Sequence, residues 1–183
     1  MITAPKLYLR RKDIPIQSLI DMDVAESSEK AAELYNSKLG GLIDPDYRST
    51  TVKIDIRPID YPDVCNQLVK MVSIWDPSLD PNDFMIREFN YLKYGKGDKF
   101  SRHRDVIEDK NDGSKRIFST STIIKTSEDL TGGDFYIYDK DNVPFRVDLE
   151  VGETIFFNSL TDHEVVEVKQ GNREVLVAWI SYK

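Results

Sequence analysis

Apolar residues recur along this chain in two rhythms. In residues 61–74 they return at helical spacing: Val64, Leu68, Met71 and Val72, followed by Trp75. That spacing puts them on one face of a helix. Pro62 suits the first turn, where its missing N–H leaves no bond unmade. Pro77, Pro81 and Asn82 then predict a loop. A second helix is expected over residues 27–39. Ser27 or Ser28 caps it, Ala31, Ala32, Leu34 and Tyr35 lie within it, and Gly40–Gly41 stops it. Residues 51–56 alternate apolar and polar positions, and residues 6–10 read as a short strand.

From residue 84 the rhythm shortens. Strand-type runs cover residues 84–94, 116–125, 133–138, 145–149, 154–158, 164–168 and 174–181. Turn residues separate them: Gly95-Lys96-Gly97, Asn111-Asp112-Gly113, Gly132-Gly133, Asp141-Asn142, Gly152 and Gly171-Asn172. Many short strands at such spacing predict a sandwich or barrel. No internal repeat or long linker interrupts the pattern. The simplest organisation is one domain over residues 1–183, mainly β with flanking helices (an α+β fold). Residues 1–80 or so supply helical and strand support, and residues 84–181 form the β core.

Composition narrows the function classes. The 183 residues suffice for a sizeable core. The formal net charge is -7 and the pI about 4.9, which disfavours broad binding to phosphate backbones or anionic membranes. The single cysteine, Cys65, excludes an internal disulfide and fits a reducing cytoplasm. No stretch resembles a signal peptide or a transmembrane helix. A cytoplasmic location is therefore expected.

The chain has two histidines, His103 and His163. In His103-Arg104-Asp105 two ligand-type side chains stand at i and i+2, which on a strand directs both to one face. His163, in Asp162-His163-Glu164, is the other histidine available. Two imidazoles and a carboxylate can occupy one face of an octahedral iron and leave three positions open. A lone His-x-Asp is common by chance, Glu164 is an alternative carboxylate, and zinc accepts the same ligand types. Arg173 stands ten residues after His163. A hairpin at Gly171-Asn172 would return the Arg173 strand beside the His163 strand. An arginine near a metal can hold a dicarboxylate through a bidentate pair, whereas an exposed hairpin arginine has no such task.

Taken together, these features resemble the 2-oxoglutarate- and Fe(II)-dependent oxygenases, particularly the prolyl 4-hydroxylase-like branch. The resemblance covers about residues 84–181. It runs through Tyr94-Gly95-Lys96-Gly97, His103-Arg104-Asp105, Arg116, Gly132-Gly133-Asp134-Phe135, and Val151-Gly152-Glu153 with Phe156-Phe157. It ends with His163-Glu164-Val165, Gly171-Asn172-Arg173 and Trp179. It implies a double-stranded β-helix, or jelly roll. It also implies that His103, Asp105 and His163 bind iron, and that Arg173 takes the far carboxylate of 2-oxoglutarate. Tyr94, nine residues before His103, matches a tyrosine that lines the cosubstrate pocket. Many prolyl hydroxylases carry lysine at the Arg173 position. A Tyr-Leu-Asn sequence common in the family is replaced here by Ile123-Ile124-Lys125, and a hydroxyl from Thr120 or Thr122 is a candidate substitute for the tyrosine contact.

The resemblance implies a dioxygenase that uses Fe(II), 2-oxoglutarate and O2, with ascorbate as the reductant, hydroxylates its substrate and releases succinate and CO2. A proline-containing peptide or protein is the expected partner. The alternatives are a 2-oxoglutarate oxygenase acting on an amino acid, another protein residue or a nucleobase, and a non-catalytic metal-binding jelly-roll protein. Base repair would call for a basic surface and a further arginine after Arg173, which this chain lacks. Lys93, Lys96, Lys99, Arg102 and Arg104 form either a basic loop that attracts an acidic substrate or a solvated face. Residues 106–114 read as a lid or a surface loop, and Tyr47 and Arg48 as one wall of a substrate groove.

Overall fold

A computed structural model describes residues 7–15, 47–106 and 113–183. The helix expected over residues 27–39 lies outside the described residues, as does most of the expected lid. Twelve strands are described: β1 (Leu9–Arg11), β2 (Val52–Ile56), β3 (Phe84–Tyr94), β4 (Phe100–His103), β5 (Arg116–Thr126), β6 (Thr131–Gly132), β7 (Phe135–Tyr138), β8 (Pro144–Val147), β9 (Thr154–Asn158), β10 (His163–Val165), β11 (Val168–Gln170) and β12 (Arg173–Tyr182). One α-helix, α1 (Pro62–Trp75), is described beside them.

Two antiparallel sheets face each other. The larger has the order β1-β9-β5-β12-β3-β2 and the smaller β4-β10-β7-β8, while β11 and β6 form a separate pair. Alternation decides what each face buries. Inward from the large sheet point Leu92, Tyr94, Ile123, Ile155, Phe157 and Val175. They meet Phe135, Ile137, Val147 and Val165 of the small sheet in one core. Outward point Phe89, Tyr91, Phe118, Phe156, Leu176 and Ile180, and these pack with Val64, Leu68, Met71 and Val72 of α1. Both faces of the large sheet are covered, so β12 reads as an almost unbroken apolar run. Each buried Leu or Met of α1 contributes about 2 kcal/mol. Leu68→Asp would strip the helix from the sheet.

Strands occur at each expected run beyond residue 84, but the run expected over 164–168 breaks into β10 and β11, and β4, which carries His103, lies outside the expected runs; β2 and α1 match their expected segments. The last hairpin differs. β11 pairs with β6, whereas β12 pairs with β3 and β5. The turn at Gly171-Asn172 therefore moves the chain onto the large sheet rather than returning it beside β10. Gly171 has a φ of +72°, and a Cβ there would stand 2.2 Å from Ser127 Oγ. The crossing turn leaves no room for a side chain.

Candidate metal centre

The small sheet brings the histidines together. His103 ends β4, His163 opens β10, and the two are register partners. Asp105 does not share a strand with His103, so the one-face rule for i, i+2 on a strand does not apply here. It lies beyond the end of β4, in a loop whose backbone N–H is held by the Ser159 carbonyl at 3.0 Å. Asp105 Oδ1 is 3.4 Å from His103 Nε2, and Oδ2 is 3.4 Å from His163 Nε2. One ligand atom from each of the three lies within 4.8 Å of the others, a group able to hold a metal ion. Glu164, the alternative carboxylate, instead accepts the Tyr138 hydroxyl at 2.5 Å.

Both imidazoles are oriented from behind. His103 Nδ1 contacts the Ser101 carbonyl at 2.7 Å, and His163 Nδ1 contacts the Thr161 carbonyl at 3.0 Å. A carbonyl can only accept, so each Nδ1 carries the proton. Each Nε2 is left facing Asp105, and in the neutral ring it is this nitrogen whose lone pair is available to a metal. Phe100 stacks on the His103 ring, with centroids 3.4 Å apart, and Phe157 packs edge-on to His163 at 4.7 Å.

The charges suit a cation. Burial pushes His103 below its ordinary pKa, despite Asp105 beside it. Burial also opposes a charge on His163, but the Asp105 carboxylate outweighs it and holds His163 above its ordinary value. Burial would raise Asp105, yet the two imidazoles hold it well below the usual carboxylate range. A buried carboxylate, 7% exposed, thus stays ionised between two neutralisable ligands.

A cavity joins these residues to the opening of β12. His103, Asp105, His163, Tyr94, Phe135, Ser121 and Arg173 all line it. Arg173 is 4% exposed and pairs in register with Tyr94 on β3. Its guanidinium carbon is 5.9 Å from the Tyr94 ring centroid. Nη1 donates to the Gly133 carbonyl, while Nε is buried with no hydrogen-bond partner. Burial pushes its pKa down, with Tyr94 and Asp134 opposing. Guanidinium nevertheless remains protonated in proteins. A buried cation without a carboxylate partner is costly, and an anion at the inner end of the cavity removes that cost.

The hydroxyl roles fall differently from expectation. Thr122 Oγ1 is paired with Thr154 Oγ1 at 2.7 Å. Thr120 lines the cavity, but its hydroxyl is donated to the Ala178 carbonyl at 3.3 Å. Ser121, of opposite parity on β5, is a cavity-lining hydroxyl that the sequence reading passed over; the signal was a run of small hydroxyl residues in an otherwise apolar strand. The basic loop also changes character. Arg102 and Arg104 both pair with Asp162, and Lys93 pairs with Glu174.

A groove reaches the same centre from outside. Tyr47, Arg48, Lys53, Glu88, Asn90, Arg116 and Trp179 line it together with His103 and Asp105. Arg116 is held by Glu88 at 3.0 and 2.5 Å and lies over the Trp179 ring at 4.0 Å. Asn90, 3% exposed, has a buried Oδ1 with no hydrogen-bond partner.

Residues 89–181 match the family model of the 2OG-Fe(II) oxygenase superfamily, over half of the chain. The chain belongs to that superfamily. No curated protein matches it in sequence. Among solved structures it is similar to a viral collagen prolyl hydroxylase from Paramecium Bursaria Chlorella virus-1 in its 2OG complex, with 16% identity, a TM-score of 0.62 and 97% of each chain covered. It is also similar to a Pseudomonas putida prolyl-4-hydroxylase, with 18% identity and a TM-score of 0.61 over 96% of this chain and 92% of that one. A third is a Trichoplax adhaerens prolyl hydroxylase in complex with a hypoxia inducible factor peptide fragment. There the identity is 16% and the TM-score 0.54, over 94% of this chain and 82% of that one. At such identities the likeness establishes the fold, a mainly β jelly roll. As a superfamily member the protein is a 2-oxoglutarate-dependent dioxygenase that uses Fe(II), 2-oxoglutarate and O2. The His-Asp-His group is compatible with Fe(II). Among the described residues no helix is long and apolar enough to cross a membrane.

Proposed function

We propose that this oxygenase hydroxylates prolyl residues of a peptide or protein, with His103, Asp105 and His163 as the iron ligands. The observation that carries the site is Arg173, a buried cation with an unpartnered Nε at the far end of the cavity that holds the three ligands. A dicarboxylate that reaches from metal to guanidinium satisfies both ends. In that reading Arg173 binds the far carboxylate of 2-oxoglutarate by charge-assisted hydrogen bonds, and Tyr94 walls the pocket beside it. Bound iron supplies the oxidative chemistry, in which 2-oxoglutarate leaves as succinate and CO2 and the substrate gains a hydroxyl.

The protein's own part is to hold and to exclude. Ser101 and Thr161 fix the imidazole tautomers, and Asp105 stays ionised without a proton to lose. Phe100, Phe135 and Phe157 keep water from the ligands, which strengthens every charge interaction inside. The groove of Tyr47, Asn90, Arg116 and Trp179 brings substrate to the exposed side of the centre. Its aromatic lining, Tyr47 and Trp179, suits a pyrrolidine ring. Three fold neighbours are themselves named as prolyl hydroxylases. A second reading is an acidic non-prolyl substrate, for which Arg48, Lys53, Arg104 and Arg116 line the same groove, although Lys53, Arg104 and Arg116 are already ion-paired with Asp55, Asp162 and Glu88.

The test is succinate formation from 2-oxoglutarate with Fe(II), with and without proline-rich peptides. Peptide-stimulated succinate and a peptide gaining one oxygen support the prolyl reading. Turnover that no such peptide stimulates, but that an acidic small molecule does, supports the second.

A further inference from the structure

The connection from β9 to β10 bonds two of the candidate ligands directly and grips both neighbours of the third. The Ser159 carbonyl accepts the Asp105 N–H at 3.0 Å. The Thr161 carbonyl faces His163 Nδ1 at 3.0 Å. Asp162 holds the residues on either side of the third ligand: its Oδ1 accepts from Arg104 Nε at 2.8 Å and its Oδ2 from Arg102 Nη2 at 2.7 Å. Those two arginines flank His103.

The connection is itself held firmly. Thr161 N–H donates to the Asn158 carbonyl at 2.8 Å, and Leu160 N–H to Asn158 Oδ1 at 2.9 Å. Ser159 N–H donates to the Ile117 carbonyl at 2.9 Å. The buried hydroxyls of Ser159 and Ser119 meet at 2.8 Å. The turn is thus bonded to β5 of the large sheet, while its Asp162 carboxylate extends to β4.

β4 needs such a hold. Residues 47–49 hold its outer side as far as Ser101, through a bridge of Arg48 to Phe100 and the Ser101 N–H on the Tyr47 carbonyl at 2.8 Å, and among the described residues β10 alone pairs with it at His103. The β4–β10 register shifts between His163 and Val165, so the ladder is irregular next to the ligands. Arg102 and Arg104 would also repel each other across His103 without an anion between them. Arg102 has a fixed seat, with Nη2 2.5 Å from Asn142 Oδ1 and its guanidinium carbon 3.9 Å over the Tyr138 ring. Arg104 is the more exposed arm, and it lines the substrate groove.

We infer that Asp162 is a positioning residue for the metal centre: by gripping Arg102 and Arg104 from the residue next to His163, it sets the end of β4, and therefore His103, against His163 and Asp105. This rests on reading the His-Asp-His group as the metal site. An ordinary surface ion pair contributes little to stability. A positioning pair instead shows its value in metal affinity, where loss of such outer partners typically costs about 10–100-fold.

The test uses the full chain and Mn(II) alone, with the free ion followed by electron paramagnetic resonance and metal-free melting by calorimetry. The variants are Asp162→Asn, the pair Arg102→Gln with Arg104→Gln, the three changes combined, and His163→Ala. Expected are a Mn(II) Kd raised about tenfold or more in both Asp162→Asn and the arginine pair. The triple variant should be no worse than either, because all act through one contact. Metal-free melting should stay near that of the unaltered protein. A Kd within about twofold of the unaltered protein, losses that add in the triple variant, or a weakened Kd accompanied by a collapse of metal-free melting would each overturn the positioning role. Unchanged Mn(II) binding by His163→Ala would instead overturn the metal reading beneath it.

Discussion

Replacing Arg173 with methionine removes a buried cation but keeps a flexible chain of similar reach. Two effects of opposite sign follow. Each charge-assisted hydrogen bond to a carboxylate is worth about 1.5–3 kcal/mol, so losing a two-pronged hold costs about 3 kcal/mol or more. At about 1.4 kcal/mol per tenfold, the KM for 2-oxoglutarate should rise on the order of 100-fold, with a smaller change in kcat. Without cosubstrate the balance reverses. Arg173 is 4% exposed, and among the described residues its Nε has no partner while Nη1 donates to the Gly133 carbonyl. Removing an uncompensated buried charge offsets that lost bond, so the cosubstrate-free protein should be as stable as before or more so. Succinate kinetics measure the first effect, and urea denaturation without 2-oxoglutarate measures the second. A KM within about threefold of the unaltered enzyme, together with a stability loss of about 3 kcal/mol or more, would show Arg173 to be a structural cation and refute the reasoning.

Further expectations are smaller in scope. His163 is held above its ordinary value of 6.5 by Asp105 and must lose that proton to bind metal, so apparent Mn(II) affinity should fall about tenfold per pH unit below the raised value; a flat affinity between pH 6 and 8, roughly the histidine range, would contradict it. Ser119→Ala leaves the Ser159 hydroxyl buried and unpaired, so denaturation should show a loss of about 1–3 kcal/mol that shrinks when Ser159→Ala is added. Gly132 has a φ of +73°, and a Cβ there would lie 2.2 Å from the Glu167 carbonyl oxygen; Gly132→Ala should cost more than about 2 kcal/mol and weaken 2-oxoglutarate binding by displacing Gly133 from Arg173.

The strands from residue 84 onward were legible because alternation and glycine turns are local signals. The two histidines stand out by scarcity, whereas Arg173 stands out only through the family resemblance, because the hairpin expected to return it beside the His163 strand does not form. What was illegible was pairing. Nothing in Gly171-Asn172 says whether the next strand stays in its sheet or crosses to the other, because that depends on which edge is free. The i, i+2 spacing of His103 and Asp105 would direct both to one face of a strand, but Asp105 lies past the end of β4 with its N–H on the Ser159 carbonyl. Nothing in Asp162-His163-Glu164 marks Asp162; the register of β4 on β10 places two arginines around it. Ser121 and Thr120 differ by one position in β5, and parity alone decides which hydroxyl is free to face the cavity. Parity cannot be read until the sheet's two faces are known.

The most direct measurement is a crystal structure grown without oxygen, with Mn(II) and 2-oxoglutarate. The account predicts one metal bound by His103 Nε2, His163 Nε2 and an Asp105 oxygen, with the far carboxylate of 2-oxoglutarate on Arg173 beside Tyr94. A metal bound elsewhere, or a cosubstrate whose far carboxylate does not meet Arg173, would contradict it.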